Sequence, residues 1–429
     1  MTSLLSRDEV VDAYEVIRSD VLASLERSRV NPDTDPEAVQ GAILAAISDY
    51  ERRCRVDGLP SLGDAHEVSQ RIFNAVCGHG PISGLIARDD VEEIFVEGSR
   101  ISYLDQSGHL HGLATPATEE ENRQLIDRLL SATDRHLSTQ QPLVQARVLN
   151  GAARLTVAIP PISDTLSATF RKYTVREARL EDLVTNATMS QPAADFLRLL
   201  LRARSRLMIS GEPGAGTTTL LTALLNAAPP QHCVRVCEEI REIAAPIMHG
   251  GYYETRPPGM DGTGEISLRH LVKFVLAMRP DRIVVGEVRG AEAFELTRAV
   301  NAGCGFLCTV HANTASDALN ALVNAALMAG ENVTEPIIRR VFSNALDVVV
   351  QIGRVTSPSG TVHREISEIL AVHPSLSEGF TTESLFSRTE PRAPLEWQGS
   401  IPERLVGLLA SVLPPHRTVA DIAAGRGLS

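Results

Sequence analysis

Residues 211–219 read Gly-Glu-Pro-Gly-Ala-Gly-Thr-Thr-Thr. Gly211 and Gly216 stand five apart, the spacing of the phosphate-binding loop G-x-x-x-x-G-K-[ST], whose glycines let backbone N–H groups approach phosphate oxygens. An apolar run (Leu207, Met208, Ile209) precedes the loop and a helix-like run (Leu220, Leu221, Ala223, Leu224, Leu225) follows it. That strand-to-helix context is the one the motif requires. Gly211, Gly214, Ala215, Gly216, Thr217, Thr218 and Thr219 are therefore candidate nucleotide-binding residues, with Mg2+. Thr218 holds the hydroxyl position that would ligate the metal, and the helix N-terminus adds a favourable dipole. The lysine position, however, holds Thr217. Losing one charge-assisted bond costs about 1.5–3 kcal/mol, or about ten- to hundredfold in binding. The cost is larger in a transition state that depends on charge stabilisation. Nucleotide binding is expected; turnover is the open question.

Three downstream segments could serve such a loop. In Arg282-Ile-Val-Val-Gly-Glu287-Val-Arg289-Gly290 an apolar strand ends in a carboxylate, which suits Glu287 to holding Mg2+ through a water. Val236-Cys237-Glu238-Glu239-Ile240-Arg241-Glu242 gathers three carboxylates just past a strand expected to lie beside the loop strand. Like charges held close are unfavourable without a cation, so a metal–phosphate neighbour would give them a purpose; a solvated acidic turn is the alternative. In Cys308-Thr309-Val310-His311-Ala312-Asn313, a polar His-x-Asn at a strand end suits contact with a terminal phosphate, although a lone histidine is more often structural. Arg256, Arg269, Arg279 and Arg289 supply fixed positive charge around these segments.

The elements that must position these groups follow from periodicity. Residues 7–56 repeat apolar positions (Val10, Tyr14, Ile17, Val21, Leu25) at steps of three or four, predicting amphipathic helices and an N-terminal helical extension over 1–64. From 65 to 180, strands at Val91–Val96, Ile101–Leu104 and Arg154–Ile159 alternate with a helix at Gln124–Leu130, an α+β pattern. Residues 181–192 read as a linker. From 193 to 429, helical runs alternate with short strands at Val234–Val236, Ile283–Val285, Leu307–Val310 and Val348–Ile352. This predicts an α/β domain with a helix-covered parallel sheet. The tail after about 355 adds strand-like runs at Glu365–Val372 and Thr381–Leu385 and a helix near Pro402–Leu413.

Composition narrows the classes. The 429 residues are 43% apolar and 22% charged with a net charge of −12, and no basic tract marks a surface for nucleic-acid phosphates. Only Lys172 and Lys273 are lysines among 41 basic residues; a Lys-to-Arg bias does not explain Thr217, since it would have left arginine there. No apolar stretch reaches the ~18–20 residues of a membrane span, and the N-terminus lacks a basic-then-apolar leader. The expectation is a cytoplasmic protein, any membrane role of which would come through a partner. The six cysteines lack C-x-x-C spacing; those in apolar strand-like runs, such as Cys233 and Cys237, read as small buried hydrophobes.

The order of loop, Glu-rich box, Gly-Glu-Val-Arg-Gly and Thr-Val-His-Ala-Asn resembles the secretion ATPases of type II and type IV systems and type IV pili. The branch it is most similar to serves Flp-type (tight adherence) pili and related conjugal-transfer-like machines. Glu254-Thr255-Arg256-Pro257-Pro258, Met278-Arg279-Pro280-Asp281-Arg282, Gly78-His79-Gly80-Pro81-Ile82, Ala146-Arg147-Val148 through Ile159-Pro160-Pro161, and Phe170-Arg171-Lys172-Tyr173 extend the likeness over about residues 72–353. The resemblance implies a hexameric ring, peripheral at the inner face of the plasma membrane, that drives inner-membrane platform proteins. Each subunit would pair a PAS-like N-terminal domain with a RecA-like motor domain, with ATP between them. It implies Glu242 as the water-activating carboxylate with Glu238 nearby, Glu287 as the Walker-B residue and His311 as the histidine-box residue. Arg171, Arg256 and Arg269 become the phosphate-facing arginines. Thr217, Glu239 in place of aspartate, Cys304 in place of a histidine and Gln145 in place of aspartate depart from the family pattern. These features leave three expectations: a motor for pilus assembly or protein secretion, a nucleotide-binding but catalytically weak or inactive ring member, and a conjugative DNA-transfer ATPase.

Overall fold

The computed structural model describes residues 13–427 apart from 33, 58, 114–116, 174–177, 260, 331, 358–360 and 376–378. Val10 and the rest of 7–12, read above as helix, lie outside the described residues. The chain divides into two compact units, residues 1–174 and 175–429.

The first unit opens with α1 (Ala13–Ser28), α2 (Pro36–Asp57) and α3 (Ala65–Cys77). Tyr14, Ile17, Val21 and Leu25 of α1 meet Val39, Ile43, Ile47 and Tyr50 of α2 and Ile72 and Val76 of α3 in one apolar cluster. These are i, i+3/i+4 stripes, which short helices must bury against one another to be stable. After the one-turn α4 (Ser83–Ala87), a sheet forms from β1 (Val91–Glu97), β2 (Arg100–Asp105), β3 (Leu110–Gly112), β4 (Leu143–Val148), β5 (Ala153–Ala158) and β6 (Ser167–Lys172), with α5 (Glu119–Ser131) between β3 and β4. Its order is β3-β2-β1-β6-β5-β4, antiparallel throughout. Glu121 of α5 caps its own helix through Thr118. It also accepts a hydrogen bond from Tyr14 and pairs with Arg71 at 3.1 Å, so a buried carboxylate ties α1 and α3 to the α+β part.

The second unit contains α6 (Leu180–Thr185), α7 (Gln191–Arg202), β7 (Leu207–Gly211), α8 (Thr217–Asn226), β8 (Cys233–Glu238), β9 (His249–Glu254), α9 (Leu268–Leu276), β10 (Arg282–Val285), α10 (Glu292–Asn301), β11 (Gly305–His311), α11 (Ala315–Leu327), α12 (Glu335–Ala345), β12 (Val348–Thr356), β13 (Val362–His373), β14 (Thr381–Ser387), β15 (Glu396–Trp397), α13 (Glu403–Leu409) and α14 (Val419–Ala423). One nine-stranded sheet runs β15-β14-β13-β12-β7-β11-β10-β8-β9. The strands from β12 to β9 are parallel, while β13, β14 and β15 add antiparallel. Alternate residues of the strands enter different clusters. Leu207, Ile209, Val284 and Val350 pack with α7, α8, α13 and α14; Met208, Ile283, Val285 and Val349 pack with α9–α12. A sheet buried on both faces needs this near-continuous apolar character.

Three expectations change. Residues 181–192 are not an open linker: α6 buries Leu180 and Leu183 and α7 begins at Gln191, because apolar side chains there join the core under the sheet. The Glu-rich strand β8 does not lie beside β7, since β11 and β10 intervene. The tail extends the sheet itself through β13–β15, so the sheet is mixed and not wholly parallel.

Candidate functional site

The loop after β7 has the backbone that its glycines allow. Gly214 and Gly216 sit at φ 78° and 97°, left-handed values that other residues rarely adopt. A Cβ at Gly211 would lie 2.5 Å from the Ile352 carbonyl oxygen of β12. Ala215 turns its N–H back to the Glu212 carbonyl at 3.0 Å, and α8 starts at Thr217, with Thr217 buried and Thr218 and Thr219 half-buried. A left-handed residue at a helix start with small side chains around it leaves backbone N–H groups facing outward, a cradle suited to an anion.

Strand register brings other candidates to this end of the sheet. His311, the last residue of β11, is paired with Gly211, and the Ala312 N–H reaches the Gly211 carbonyl at 3.3 Å. Glu287 follows β10 and lies 3.1 Å from His311 Nδ1; Arg289 also grips its carboxylate. Burial alone would raise the Glu287 carboxyl, but hydrogen bonds from His311 and Arg289 outweigh burial and bring it down to about 2. Glu287 is thus firmly anionic. Thr309 Oγ1 donates to the Gly286 carbonyl, fixing the turn that carries it. Gly211, Glu287 and His311 therefore meet at the carboxyl ends of adjacent parallel strands, where open α/β sheets bind ligands.

Glu238 closes the same edge from β8. A Cβ at Gly286 would sit 2.8 Å from Glu238 Cγ, so glycine is required for the carboxylate to pass. Glu238 is 4% exposed; one oxygen accepts from the Glu242 and Ile243 N–H groups at 3.0 and 3.1 Å, and the other has no partner in the structure. Burial pushes its carboxyl up to about 8 against these backbone bonds. Glu238 is therefore mostly protonated at neutral pH, and it positions Glu242 by clamping that residue's backbone. Glu239 is exposed and lies 3.7 Å from Arg289. The acidic box thus avoids self-repulsion by neutralising one member and pairing another.

The arginines divide differently from expectation. Arg289 holds Glu287, as above. Arg256 donates to the Gly264 carbonyl at 2.7 Å on an exposed turn. Arg269 pairs at 2.9 Å with the buried Glu295 of α10 and donates to the Ala329 carbonyl, so within this chain it braces helices. Arg171 belongs to the first unit, on β6, 3.8 Å from Glu93. Two arginines that the motif reading passed over do reach the loop. Arg364 of β13 donates from Nε to the Gly214 carbonyl at 3.1 Å. A Cβ at Gly214 would lie 3.3 Å from a guanidinium nitrogen of Arg354 on β12. The signal for them was the Ser-Pro-Ser-Gly sequence at 357–360 between two strand-like runs, a composition that predicts a hairpin.

These residues fit a bound triphosphate with Mg2+: a glycine cradle, an anionic carboxylate beside it, and hydroxyls at Thr218 and Thr219. Cys237 and Cys308 are buried within the sheet, and burial pushes both thiols up to about 12, so they act as small hydrophobes. Among the described residues no group of His, Cys, Asp and Glu is arranged to hold a metal ion by itself, and no helix is long and apolar enough to cross a membrane.

The profile of the type II/IV secretion system protein family matches residues 90–376. The chain is similar to a putative conjugal transfer protein of Mycobacterium tuberculosis, 33% identical over 264 residues, which covers 59% of this chain and 74% of that protein. It is also similar to the conjugal transfer protein TrbB of Rhizobium radiobacter, 30% identical over 294 residues, covering 66% and 86%. Among solved structures it matches the VirB11 ATPase from the Brucella suis type IV secretion system in complex with sulphate, at 22% identity and a TM-score of 0.37, covering 68% of this chain and 92% of that one. With the profile matched over more than half of its length, the chain belongs to the type II/IV secretion system protein family.

Proposed function

We propose that the protein is a motor ATPase of a pilus-assembly or protein-secretion machine, with a RecA-like second unit, working as a homo-oligomeric ring, a hexamer by the family resemblance, against inner-membrane platform proteins from the cytoplasmic side. The observation that carries this reading is the meeting of Gly211, Glu287 and His311 at one end of the sheet. Bound ATP with Mg2+ would supply the anhydride bond and the charge-neutralising cation. The loop 211–219 would hold the phosphates through backbone N–H groups, with Thr218 and Glu287 (through a water) holding the metal. His311 and Arg289 keep Glu287 ionised and aimed. Glu242 is the candidate to take a proton from water, because Glu238 is buried and neutral and acts on it only through the backbone. Arg171 and Arg256 remain proposed phosphate contacts in the assembled ring. Arg269 joins that proposal only if it leaves Glu295.

Thr217 favours a second reading, a ring member that binds nucleotide with little turnover. The conjugal transfer relatives favour a third, DNA-transfer activity. Phosphate release by the purified full chain with Mg2+-ATP, beside Glu287→Gln and Thr217→Lys, separates the first two. Turnover that Glu287→Gln abolishes supports the motor; turnover that emerges only with Thr217→Lys supports the weak ring member. Absence of any calorimetric ATP binding sinks both, and salt-sensitive DNA binding would favour the third.

A further inference from the structure

Residues 239–248, between β8 and β9, form neither helix nor strand, and they carry Glu242, the candidate to take a proton from water. An irregular segment lacks the regular backbone bonding of a helix or ladder, so its shape is set by whatever grips it. Side chains from three places do so. Glu238 accepts from the Glu242 and Ile243 N–H groups, and Thr255 Oγ1 donates to the Glu239 carbonyl at 3.0 Å. Tyr252 of β9 takes hold twice. Its hydroxyl donates to the Ala245 carbonyl, and the Arg241 guanidinium lies over its ring, 3.9 Å from the centroid. These two grips fall on either side of Glu242 in the chain.

We infer that Tyr252 is a positioning residue for turnover, holding segment 239–245 in the conformation that presents Glu242. The inference rests on reading Glu242 as the water-activating carboxylate. Strand parity selects the tyrosine, because consecutive residues of a strand face opposite sides of the sheet. Tyr253 packs with the cluster of α9–α12, and its hydroxyl meets Met278 at 3.3 Å. Tyr252 packs instead with the cluster that takes in Ile243 and Ala245 of the segment. A glycine brings β9 close enough: a Cβ at Gly250 would lie 1.8 Å from the Val234 carbonyl oxygen, and Tyr252 is then paired with Val236. The residue type suits a clasp, since the ring face holds a cation while the hydroxyl bonds in one direction. Burial raises the Tyr252 phenol above its ordinary value, so it stays a donor at neutral pH. The two grips are separable: phenylalanine keeps the ring and loses the hydroxyl, and leucine loses both.

Hydrogen exchange of the full chain, read by mass spectrometry, tests the clasp without calling on catalysis. Tyr252→Phe should speed exchange of the Glu242 and Ile243 amides about two- to tenfold, the worth of one neutral hydrogen bond. Tyr252→Leu should speed it further, and the amides of β7 and α8 should not change in either variant. Equal protection of 239–248 in all three proteins overturns the proposal. So does faster exchange spread evenly over the second unit, which would mark Tyr252 as a general support of the fold. Turnover of Mg2+-ATP is the second readout, taken in the unmodified chain or, if only that form is active, in Thr217→Lys. Tyr252→Phe should lower kcat about two- to tenfold and Tyr252→Leu about ten- to fiftyfold. KM and calorimetric ATP affinity should stay within about twofold, because the interaction positions a reacting group and does not bind substrate. An unchanged kcat in both variants, or a loss that appears in ATP affinity instead of kcat, also overturns the proposal. If neither form turns over, the motor reading itself has failed, a distinct result, and exchange still decides whether Tyr252 holds the segment.

Discussion

Replacing Glu238 by glutamine probes the electrostatics of the acidic box directly. The Glu238 carboxyl is 4% exposed, accepts two backbone N–H bonds on one oxygen, and is pushed by burial from 4.5 to about 8. For an acid raised in the folded state, the folded protein keeps a proton that the unfolded chain releases. Stability is therefore greatest at the acid end of the window and falls as pH rises from about 4.5 to about 8. The slope reaches at most about 1.4 kcal/mol per pH unit, or about 4 kcal/mol between about pH 5 and about pH 8. Glutamine keeps an oxygen for the Glu242 and Ile243 N–H groups and has no proton to lose. Its amide costs about 1–3 kcal/mol if left unpaired where the orphan oxygen lay, but that cost does not vary with pH. The stability of wild type relative to Glu238→Gln should thus decline steadily as pH rises. Urea unfolding at matched pH values measures it, followed by fluorescence of Trp397, the single tryptophan of the chain, which lies in the second unit on β15. Parallel pH curves for the two proteins would refute the idea that this carboxyl is held neutral.

Other perturbations test the remaining parts of the site. Gly211→Ala places a Cβ 2.5 Å from the Ile352 carbonyl oxygen, so it should cost about 1–3 kcal/mol as β7 and β12 separate; tryptophan-detected unfolding and ATP calorimetry should both report it. Asp347, fully buried, pairs with Arg206 and Arg404, and Asp347→Ala should destabilise by about 3–5 kcal/mol because two guanidiniums lose their counter-charge; a loss below about 1 kcal/mol would contradict this. Glu287, lowered to about 2, contributes stability that is complete above the ordinary carboxylate value and disappears as pH falls through about 2. Glu287→Gln should therefore flatten the acid limb of unfolding as well as abolish any turnover.

Much of the architecture was legible because it rests on local periodicity. The stripes of α1 and α2, the strands β1, β2, β5, β8, β10, β11 and β12, and the loop between β7 and α8 each announce themselves through apolar spacing or glycine placement. The strand β6 and the helix α6 were missed. Their residues are short and mixed in polarity, and they become ordered by what they pack against. Arg282 shows the same limit. It opens an apolar strand, yet it is fully buried because its guanidinium caps the Leu201 and Ser205 carbonyls at 2.9 Å, with burial pushing it down to about 10.

By itself the amino-acid order determined that a glycine loop joins a strand to a helix, that carboxylates and a histidine follow at strand ends, and that the expected lysine is threonine. Those are properties of neighbours along the chain. Tertiary structure alone decided that β10 and β11 separate β8 from β7, that His311 stands beside Gly211, that Glu238 is buried and neutral while Glu287 is ionised, and that Arg354 and Arg364 reach the loop. Strand order and burial depend on contacts between residues far apart along the chain, 24 positions for Glu287 and His311 and 100 for His311 and Gly211, and charge states follow from those contacts.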